Sequence, residues 1–241
     1  ARKITPEEFG TVAISTILIT FINSIATQGV SRFVIYDKEP NNNKLNSAFW
    51  LNLFISIFLC FVGFQISPFV SAFYNEPQVE IIIKILLLRI PIESVIIFLD
   101  SYVNKKLEFK QIEKRDILTQ TLSLVASILM ALYGFGVWSL VLPNVLVSFI
   151  RLPISFYISK WTPKMHLNLI YWKEIITYSY KIITNNLIYF FVNEGDTLII
   201  GKVLGSYKLG IYNISWRASN LVSRNIVSLV NKISFPVLAK S

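Results

Sequence analysis

Six polar residues near the C-terminal end of the chain are spaced so that they share one face of a helix. They step by 4, 3, 4, 4 and 3 positions, and they are Asn213, Arg217, Asn220, Arg224, Ser228 and Asn231. At roughly 100° per residue they form one narrow stripe on an otherwise apolar helix. Two of them are arginines, whose guanidinium groups donate paired hydrogen bonds to carboxylates or phosphates. The stripe therefore predicts a helix that faces water or a site holding negative charge, and not lipid.

Similar polar stripes occur on other apolar segments. One carries Thr16, Thr20, Asn23 and Thr27 at spacings of 4, 3 and 4, and another carries Asn144, Ser148, Arg151 and Ser155 at the same spacings. Arg89, Glu93, Asp100 and Asn104 fall within roughly 60° of each other on a helix. A single polar residue in a membrane helix usually bonds its own backbone or a neighbouring helix. Because the stripes recur, we expect these helices to enclose a polar cavity.

Basic residues outnumber acidic ones in the apolar segments, so we expect a positive cavity suited to phosphate or pyrophosphate. A charge in mid-membrane costs at least about 2.5–3.5 kcal/mol if it faces lipid, which favours burial of these groups in the bundle. The candidate substrate-binding residues are Arg89, Arg151, Lys181, Arg217 and Arg224. The candidates for lining the cavity or coupling an ion are Asn23, Glu93, Asp100, Asp196, Asn213 and Asn220. Arg89 and Glu93 could equally form a self-neutralised structural pair.

The composition of the chain indicates an integral membrane protein. Of 241 residues, 54% are hydrophobic and only 15% are charged, whereas a soluble domain carries about 25% charged residues. Three stretches, residues 9–31, 45–75 and 117–150, contain no Asp, Glu, Lys or Arg. Each can cover the roughly 20 residues that cross the hydrocarbon layer. The sequence therefore predicts an all-α polytopic bundle.

We predict about seven spans, an interfacial helix and a chain that is a piece of a longer protein. The spans cover residues 6–31, 47–67, 79–104, a hairpin within 117–147 that breaks at 134–138, 174–192 and 193–231, where the chain turns at 209–212. The interfacial helix covers 167–172. On alternate sides of these spans the loops at 32–44, 105–116, 160–173 and 232–240 hold most of the Lys and Arg. By the positive-inside rule, that side is cytoplasmic.

The sequence offers no catalytic constellation, so we expect no enzyme activity and no cofactor or metal. There is one His, one Cys and no glycine-rich phosphate loop, which excludes most nucleophile–base arrangements and metal clusters. The net charge of +9 lies mostly in loops between apolar spans, which is typical of membrane orientation and not of nucleic-acid binding.

Five segments of the chain form a recognisable series: residues 1–10 (Ala-Arg-Lys-Ile-Thr-Pro-Glu-Glu-Phe-Gly), 107–110, 134–141, 196–205 and 209–212. In this order they resemble the polysaccharide-transporter family, the oligosaccharide (O-antigen-type) flippases of the multidrug/oligosaccharidyl-lipid/polysaccharide superfamily. The resemblance implies about a dozen or more helices in two lobes. It implies that residues 1–165 form the first lobe without its first helix, and that 166–241 begin the second lobe.

The resemblance also implies a function: moving undecaprenyl-pyrophosphate-linked oligosaccharide units across the cell (inner) membrane by alternating access, for surface polysaccharide biosynthesis. The expected partners are the lipid-linked oligosaccharide, membrane lipid and other polysaccharide-assembly proteins. Two alternatives remain open. One is a cation-coupled multidrug antiporter, which would need Glu93 or Asp100 as a coupling acid. The other is a membrane-embedded glycan polymerase or glycosyltransferase. A purely structural scaffold would not explain the buried arginines.

Overall fold

The computed structural model describes the backbone of residues 4–37 and 41–238, and the side chains of these residues apart from 28 and 220–238. Within that part of the chain, every regular element is a helix. They are α1 (Pro6–Ala26), α2 (Gln28–Tyr36), α3 (Asn42–Tyr74), α4 (Pro77–Leu87), α5 (Arg89–Lys105), α6 (Phe109–Leu132), α7 (Trp138–Ser159) and α8 (Leu169–Leu238). In the described residues, four segments are long and apolar enough to cross a membrane: 6–36, α3, α6 and α7.

The lipid-facing surface of the bundle is apolar. Phe58, Phe61 and Phe69 of α3 and Leu118 of α6 are more than 60% exposed, which would be costly in water but is expected against acyl chains. The all-α membrane-helix bundle predicted from the sequence is therefore confirmed. The number of spans stays a prediction.

Local sequence explains where several helices begin and bend. The sequence Thr5-Pro6-Glu7-Glu8 predicts a capping box at the start of α1. The structure has it: the Thr5 hydroxyl accepts the Glu8 N–H at 3.2 Å and Glu8 accepts the Thr5 N–H at 2.7 Å. Helices α4 and α5 are nearly continuous, because Leu88 between them keeps helical angles. Pro91 has no N–H to donate to the Leu87 carbonyl. The Cys60 thiol donates to that carbonyl instead, at 3.3 Å.

Two core clusters hold the helices together. In the first, Ile14, Ile82, Leu87, Val141 and Leu209 join α1, α4, α7 and α8. The second joins α2, α3, α5 and α8, and it contains Phe33, Phe49, Phe98, Leu99 and Ile175. Through both clusters α8 packs along the rest of the bundle, and its longest contact is with α1. Helix α1 therefore packs mainly against part of the much longer α8.

The basic segments gather at one end of the bundle. There the Lys44 ammonium lies 2.7 Å from Glu174, and the Trp50 indole donates to the carbonyl of Lys164 at 3.1 Å. At the opposite end, the Val137 N–H donates to Glu8 at 3.1 Å. The ends of α2 and α5 meet at the same end as the segment after α7, because the Lys105 ammonium donates to the Asp37 carbonyl, and we call this the basic end. This placement agrees with the alternation expected from loop charge, while the side that faces the cytoplasm remains to be tested.

Several predicted boundaries are wrong. Helix α2 continues to Tyr36 and α3 runs from Asn42 to Tyr74, so the predicted loop 32–44 is much shorter and the predicted span 47–67 is longer. Helix α6 begins at Phe109, which puts the end of the charged run 105–116 inside a helix. Apolar periodicity identified the middle of each helix. It missed the ends because charged and amide residues extend helices beyond the apolar stretch.

The last part of the chain is also more continuous than predicted. No separate interfacial helix is present at 167–172, since α8 begins at Leu169 and continues. The turn predicted at 209–212 lies instead at Gly205, whose φ of 79° is accessible mainly to glycine. The hairpin break at 134–138 is confirmed, with Gly134 at φ 82° and Gly136 at φ 52° between α6 and α7.

Glycines allow α1 and α8 to touch backbone to backbone. A Cβ at Gly210 would overlap the carbonyl oxygen of Pro6, and one at Gly10 would overlap that of Ser206. We expect Gly210→Ala to lower the thermal stability of the purified protein, because a backbone clash forces the helices apart and overpacking costs about 1–3 kcal/mol.

Gly195→Ala is the matched control, since a Cβ there meets nothing within 4 Å. The control should keep or slightly raise the unfolding temperature. If Gly210→Ala and Gly195→Ala unfold at the same temperature, the described backbone contact between α1 and α8 is contradicted.

Candidate functional site

Helices α5, α6 and α7 are joined by a network of charged side chains inside the bundle. Its centre is Arg115, whose side chain is 1% exposed. Its two terminal nitrogens donate to the two carboxylate oxygens of Asp100, each at 2.7 Å, in the paired geometry that makes arginine–carboxylate contacts strong. Arg115 also donates to Ser155 at 2.6 Å and to Asp116 at 2.8 Å. This guanidinium is therefore fully engaged in linking three helices.

The network continues from Asp116 to the other end of α5. Arg151 donates to Asp116 at 3.2 Å and to Glu93 at 3.2 Å. Glu93, which is buried, also accepts from Arg89 at 3.1 Å and from Ser148 at 2.8 Å. Three arginines thus meet three carboxylates, and the charges of the network cancel.

The structure therefore brings together Arg89, Arg151, Glu93 and Asp100, four of the predicted site residues, in one neutral network. Arg89 uses only its Nε in the described hydrogen bonds, and its side chain is 34% exposed. The Nε of Arg151 is buried and has no hydrogen-bond partner within the described part of the chain. The structural pair that Arg89 and Glu93 could form is present as an ion pair. Any substrate contact by these arginines stays a prediction.

A second polar region lies between α1 and α8. It is a cavity of about 270 Å³ lined by the α1 stripe on one side and by both arms of α8 on the other. Its polar lining consists of Thr16, Thr20, Asn193, Glu194, Asp196, Thr197, Tyr212, Asn213 and Arg217, with Trp216. The Gly205 kink folds the second arm of α8 back along the first, which is why residues 193–197 and 212–217 share one cavity.

Hydrogen bonds within this cavity leave mostly acceptors facing its interior. Asp196 accepts the Thr197 N–H at 2.7 Å and the Tyr212 hydroxyl. The Thr16 and Thr20 hydroxyls donate their protons to carbonyls of their own helix at 2.9 and 2.8 Å, so their oxygens remain available as acceptors. Carboxylates, amides and an indole beside one guanidinium suit a ligand rich in hydroxyl groups that also carries an anionic group.

A neighbouring cavity of about 470 Å³ extends this region along α1 and α2. It shares Thr20, Asn193 and Glu194 with the first, and it adds Asn23, Ser24, Arg32, Asn185, Asn186, Tyr189 and Phe190. The side-chain oxygen of Asn23 is buried and has no hydrogen-bond partner among the described residues. We call the two cavities together the α1–α8 groove.

The groove contains four of the predicted site residues, namely Asn23, Asp196, Asn213 and Arg217. Lys181 is exposed on α8 and lines neither cavity. The side chains of Arg224 and Asn220 lie outside the described residues. The predicted single chamber is thus represented by two regions that share no residue: the neutral network and the groove, in which Arg217 lies with Glu194 and Asp196.

Sequence reasoning missed Arg115, Asp116 and Glu194. Arg115 and Asp116 were assigned to a charged loop, although each contacts an element far along the chain. An available signal was Asp100, a carboxylate on an apolar helix that needs a cationic partner nearby. Glu194 lies in the predicted span 193–231. It was not selected as a candidate site residue, because its position in the cavity depends on the Gly205 kink.

Comparisons with known proteins cover the whole chain. The family model described as "Polysaccharide biosynthesis protein" matches residues 1–241. The chain is 22% identical over 240 residues to the Succinoglycan biosynthesis transport protein ExoT of Rhizobium meliloti (strain 1021), covering 100% of this chain and 49% of the relative. It is 22% identical over 246 residues to the Lipopolysaccharide biosynthesis protein WzxC of Escherichia coli (strain K12), with coverage of 100% and 49%.

A third relative is named for teichuronic acid. The chain is 22% identical over 223 residues to the Teichuronic acid biosynthesis protein TuaB of Bacillus subtilis (strain 168), covering 92% of this chain and 46% of the relative. The chain therefore spans about half the length of the curated relatives it matches. No solved structure is significantly similar to it.

Proposed function

The chain belongs to the polysaccharide biosynthesis protein family, and from this membership we propose that the protein transports lipid-linked oligosaccharide units across the membrane. Its relatives are named for succinoglycan transport and for the biosynthesis of lipopolysaccharide and teichuronic acid. These glycans differ in their sugars. A carrier that recognises the shared lipid-phosphate part and tolerates different glycans would serve all of them.

The observation that carries this proposal is the polar α1–α8 groove between helices of a membrane bundle. Sugar hydroxyls need acceptors, and the groove offers the Glu194 and Asp196 carboxylates and several amides. Trp216 and Tyr212 add aromatic surface. These acceptors and aromatic rings support an oligosaccharide as the cargo of the groove.

We assign the pyrophosphate of an undecaprenyl-linked substrate to Arg217 in the groove, assisted by Arg224. Arg89 and Arg151 share the Glu93 carboxylate. Phosphate oxygens can replace a carboxylate as the partner of a guanidinium, so these two arginines are proposed to contact the substrate in another state of the transport cycle. Lys181 is proposed to meet it at the exposed face of α8. In the same proposal residues 1–165 and 166–241 belong to two lobes that rock against each other.

The ion pair of Asp100 disfavours a cation-coupled drug antiporter that uses this acid. Asp100 is held by both terminal nitrogens of Arg115, whose side chain is buried. A carboxylate that couples a cation must release its partner in each cycle, which is costly for a buried pair. We therefore retain oligosaccharide transport, in the cell membrane with the basic end at the cytoplasmic side.

Deleting the gene tests the proposal in cells. We expect surface glycan to be lost and lipid-linked repeat units to accumulate in the cytoplasmic leaflet, because synthesis continues while transfer stops. Both effects should be reversed by the wild-type gene. Accumulation of incomplete repeat units would instead indicate an enzyme of glycan synthesis, and unchanged surface glycan would contradict the assignment.

A further inference from the structure

A separate cavity opens at the basic end of the bundle, away from the α1–α8 groove. It has a volume of about 250 Å³ and lies between the end of α2, the start of α3 and the end of α5. Its lining residues are partly basic and partly apolar. The polar ones used below are Asp37, Asn42, Lys44, Lys105 and Lys106.

Among the described residues, two of the three lysines in this cavity have no carboxylate partner. Lys44 is paired with Asp37 at 3.3 Å and with Glu174 at 2.7 Å. The Lys105 ammonium donates to the backbone carbonyl of Asp37, and the Lys106 ammonium lies 4.0 Å from the centre of the Tyr102 ring. Within the described part of the chain, no carboxylate is in ion-pair distance of Lys105 or Lys106. The cavity therefore holds positive charge that an anion would balance.

The start of α3 adds to this positive potential. Asn42 is the first residue of a 33-residue helix, and the preceding Asn41 caps it by accepting the Asn43 N–H at 3.0 Å. The N–H groups of the first helical turn have no partner within the helix, and the helix dipole places partial positive charge there. Two ammonium groups and a helix N-terminus thus favour the same kind of ligand, one with phosphate oxygens.

The apolar part of the cavity indicates that the phosphate belongs to a lipid. Phe33, Val34 and Ala48 form a buried wall next to the lysines. Leu107, directly after Lys106, is 75% exposed and has a left-handed φ of 62°. Apart from glycine, asparagine and aspartate, residues rarely adopt this conformation. A leucine in this position gains most from contact with acyl chains at the membrane surface.

We propose that this cavity binds the phosphate headgroup of an anionic glycerophospholipid of the surrounding leaflet. The headgroup phosphate takes Lys105 and Lys106 as its counter-ions, and the upper acyl chain lies against the apolar wall and Leu107. Bound lipid would tie α2, α3 and α5 together at the basic end. Such binding is independent of transport and does not require the groove.

Lipid titration of the purified full-length protein in neutral detergent tests this site. We expect phosphatidylglycerol to raise the unfolding temperature and to be retained in native mass spectra, whereas phosphatidylcholine does neither. Lys105→Ala with Lys106→Ala should weaken phosphatidylglycerol binding by about 10-fold or more, since both ammonium groups that attract the anionic headgroup are removed. Lys106→Met is the second variant, because it removes one charge and keeps an apolar side chain over Tyr102.

The matched control is Lys110→Ala with Lys114→Ala. These two lysines are exposed on α6 close to the same end and are absent from the cavity lining, so the control removes the same charge and should bind phosphatidylglycerol like the wild type. Equal loss in the control would mean non-specific attraction and would overturn the site. Phosphatidylglycerol binding at the wild-type level by both the Lys105→Ala with Lys106→Ala variant and the Lys106→Met variant would also overturn the site.

Two further ligands identify the source of the phosphate. Glycerol phosphate, which has the headgroup without acyl chains, should bind at least 10-fold more weakly than phosphatidylglycerol; equal binding would assign the cavity to free phosphates. A polyprenyl pyrophosphate should not displace phosphatidylglycerol at equal concentration. Displacement would assign the cavity to the transported lipid and contradict a resident phospholipid.

Discussion

Arg115→Ala is expected to lower the free energy of unfolding by about 3–5 kcal/mol, the usual consequence of removing one partner of a buried ion pair. The variant leaves Asp100 without its two hydrogen bonds from Arg115, and it removes one of the cations beside Asp116. Desolvated carboxylates without partners are strongly unfavourable. The measurement is thermal or denaturant unfolding of the purified protein in detergent.

A second variant separates the ion pair from simple packing. Arg115→Met with Asp100→Leu removes both charges together, while Asp116 keeps its contact with Arg151. It should recover most of the lost stability, because a well-packed apolar pair can replace a buried ion pair. Lys110→Ala, on the exposed face of the same helix, is expected to be neutral. A neutral Arg115→Ala variant would show that the network does not join α5, α6 and α7 as described.

Arg217→Ala with Arg224→Ala is expected to reduce surface glycan to the level of the deletion strain, with the amount of folded membrane protein unchanged. Arg217 lines the groove and is exposed to it, so its loss removes the cation beside Glu194 and Asp196 without disturbing the core, while Arg32 in the neighbouring cavity is unchanged. Phosphate oxygens held by arginine lose paired hydrogen bonds that alanine cannot supply. Surface glycan is measured by glycan electrophoresis, and folded protein by detergent size-exclusion chromatography.

Two further variants make this result specific. Lys208→Ala removes a cation from an exposed position of α8 that lines neither cavity of the groove, and it should leave surface glycan normal. Arg217→Lys keeps the charge but not the planar donor pair, so we expect an intermediate loss. Normal glycan in the double variant would remove Arg217 and Arg224 from the transport mechanism.

The sequence predicted those parts of the fold that depend on local chemistry. The Thr5–Glu8 capping box and the Gly134–Gly136 turn were identified correctly, because each rests on residues adjacent in the chain. Gly205 was not recognised as the kink. Gly201, Gly205 and Gly210 look alike in sequence, and only tertiary packing decides that Gly210 lies against Pro6 while Gly205 takes the positive φ.

The sequence predicted which polar residues share a helix face in the candidate site, but not which carboxylate pairs with which arginine. The Thr16 and Thr20 stripe and the Asn213 and Arg217 stripe were found from spacing, and the structure places them on one cavity. Which carboxylate neutralises which arginine depends on residues brought together from different helices. Arg151 meets Glu93 across 58 positions of the chain, and no periodicity within one helix contains that information.

Transport by the purified full-length protein in proteoliposomes tests the central claim most directly. Fluorescent undecaprenyl-pyrophosphate oligosaccharide is placed in both leaflets, and the fraction open to an external glycosidase is followed with time. We predict that this fraction rises from about half to nearly all of the substrate with the wild-type protein and stays at about half with Arg217→Ala and Arg224→Ala, since without transfer only the outer leaflet is accessible. Equal rates in the wild type, the double variant and protein-free vesicles would contradict the account.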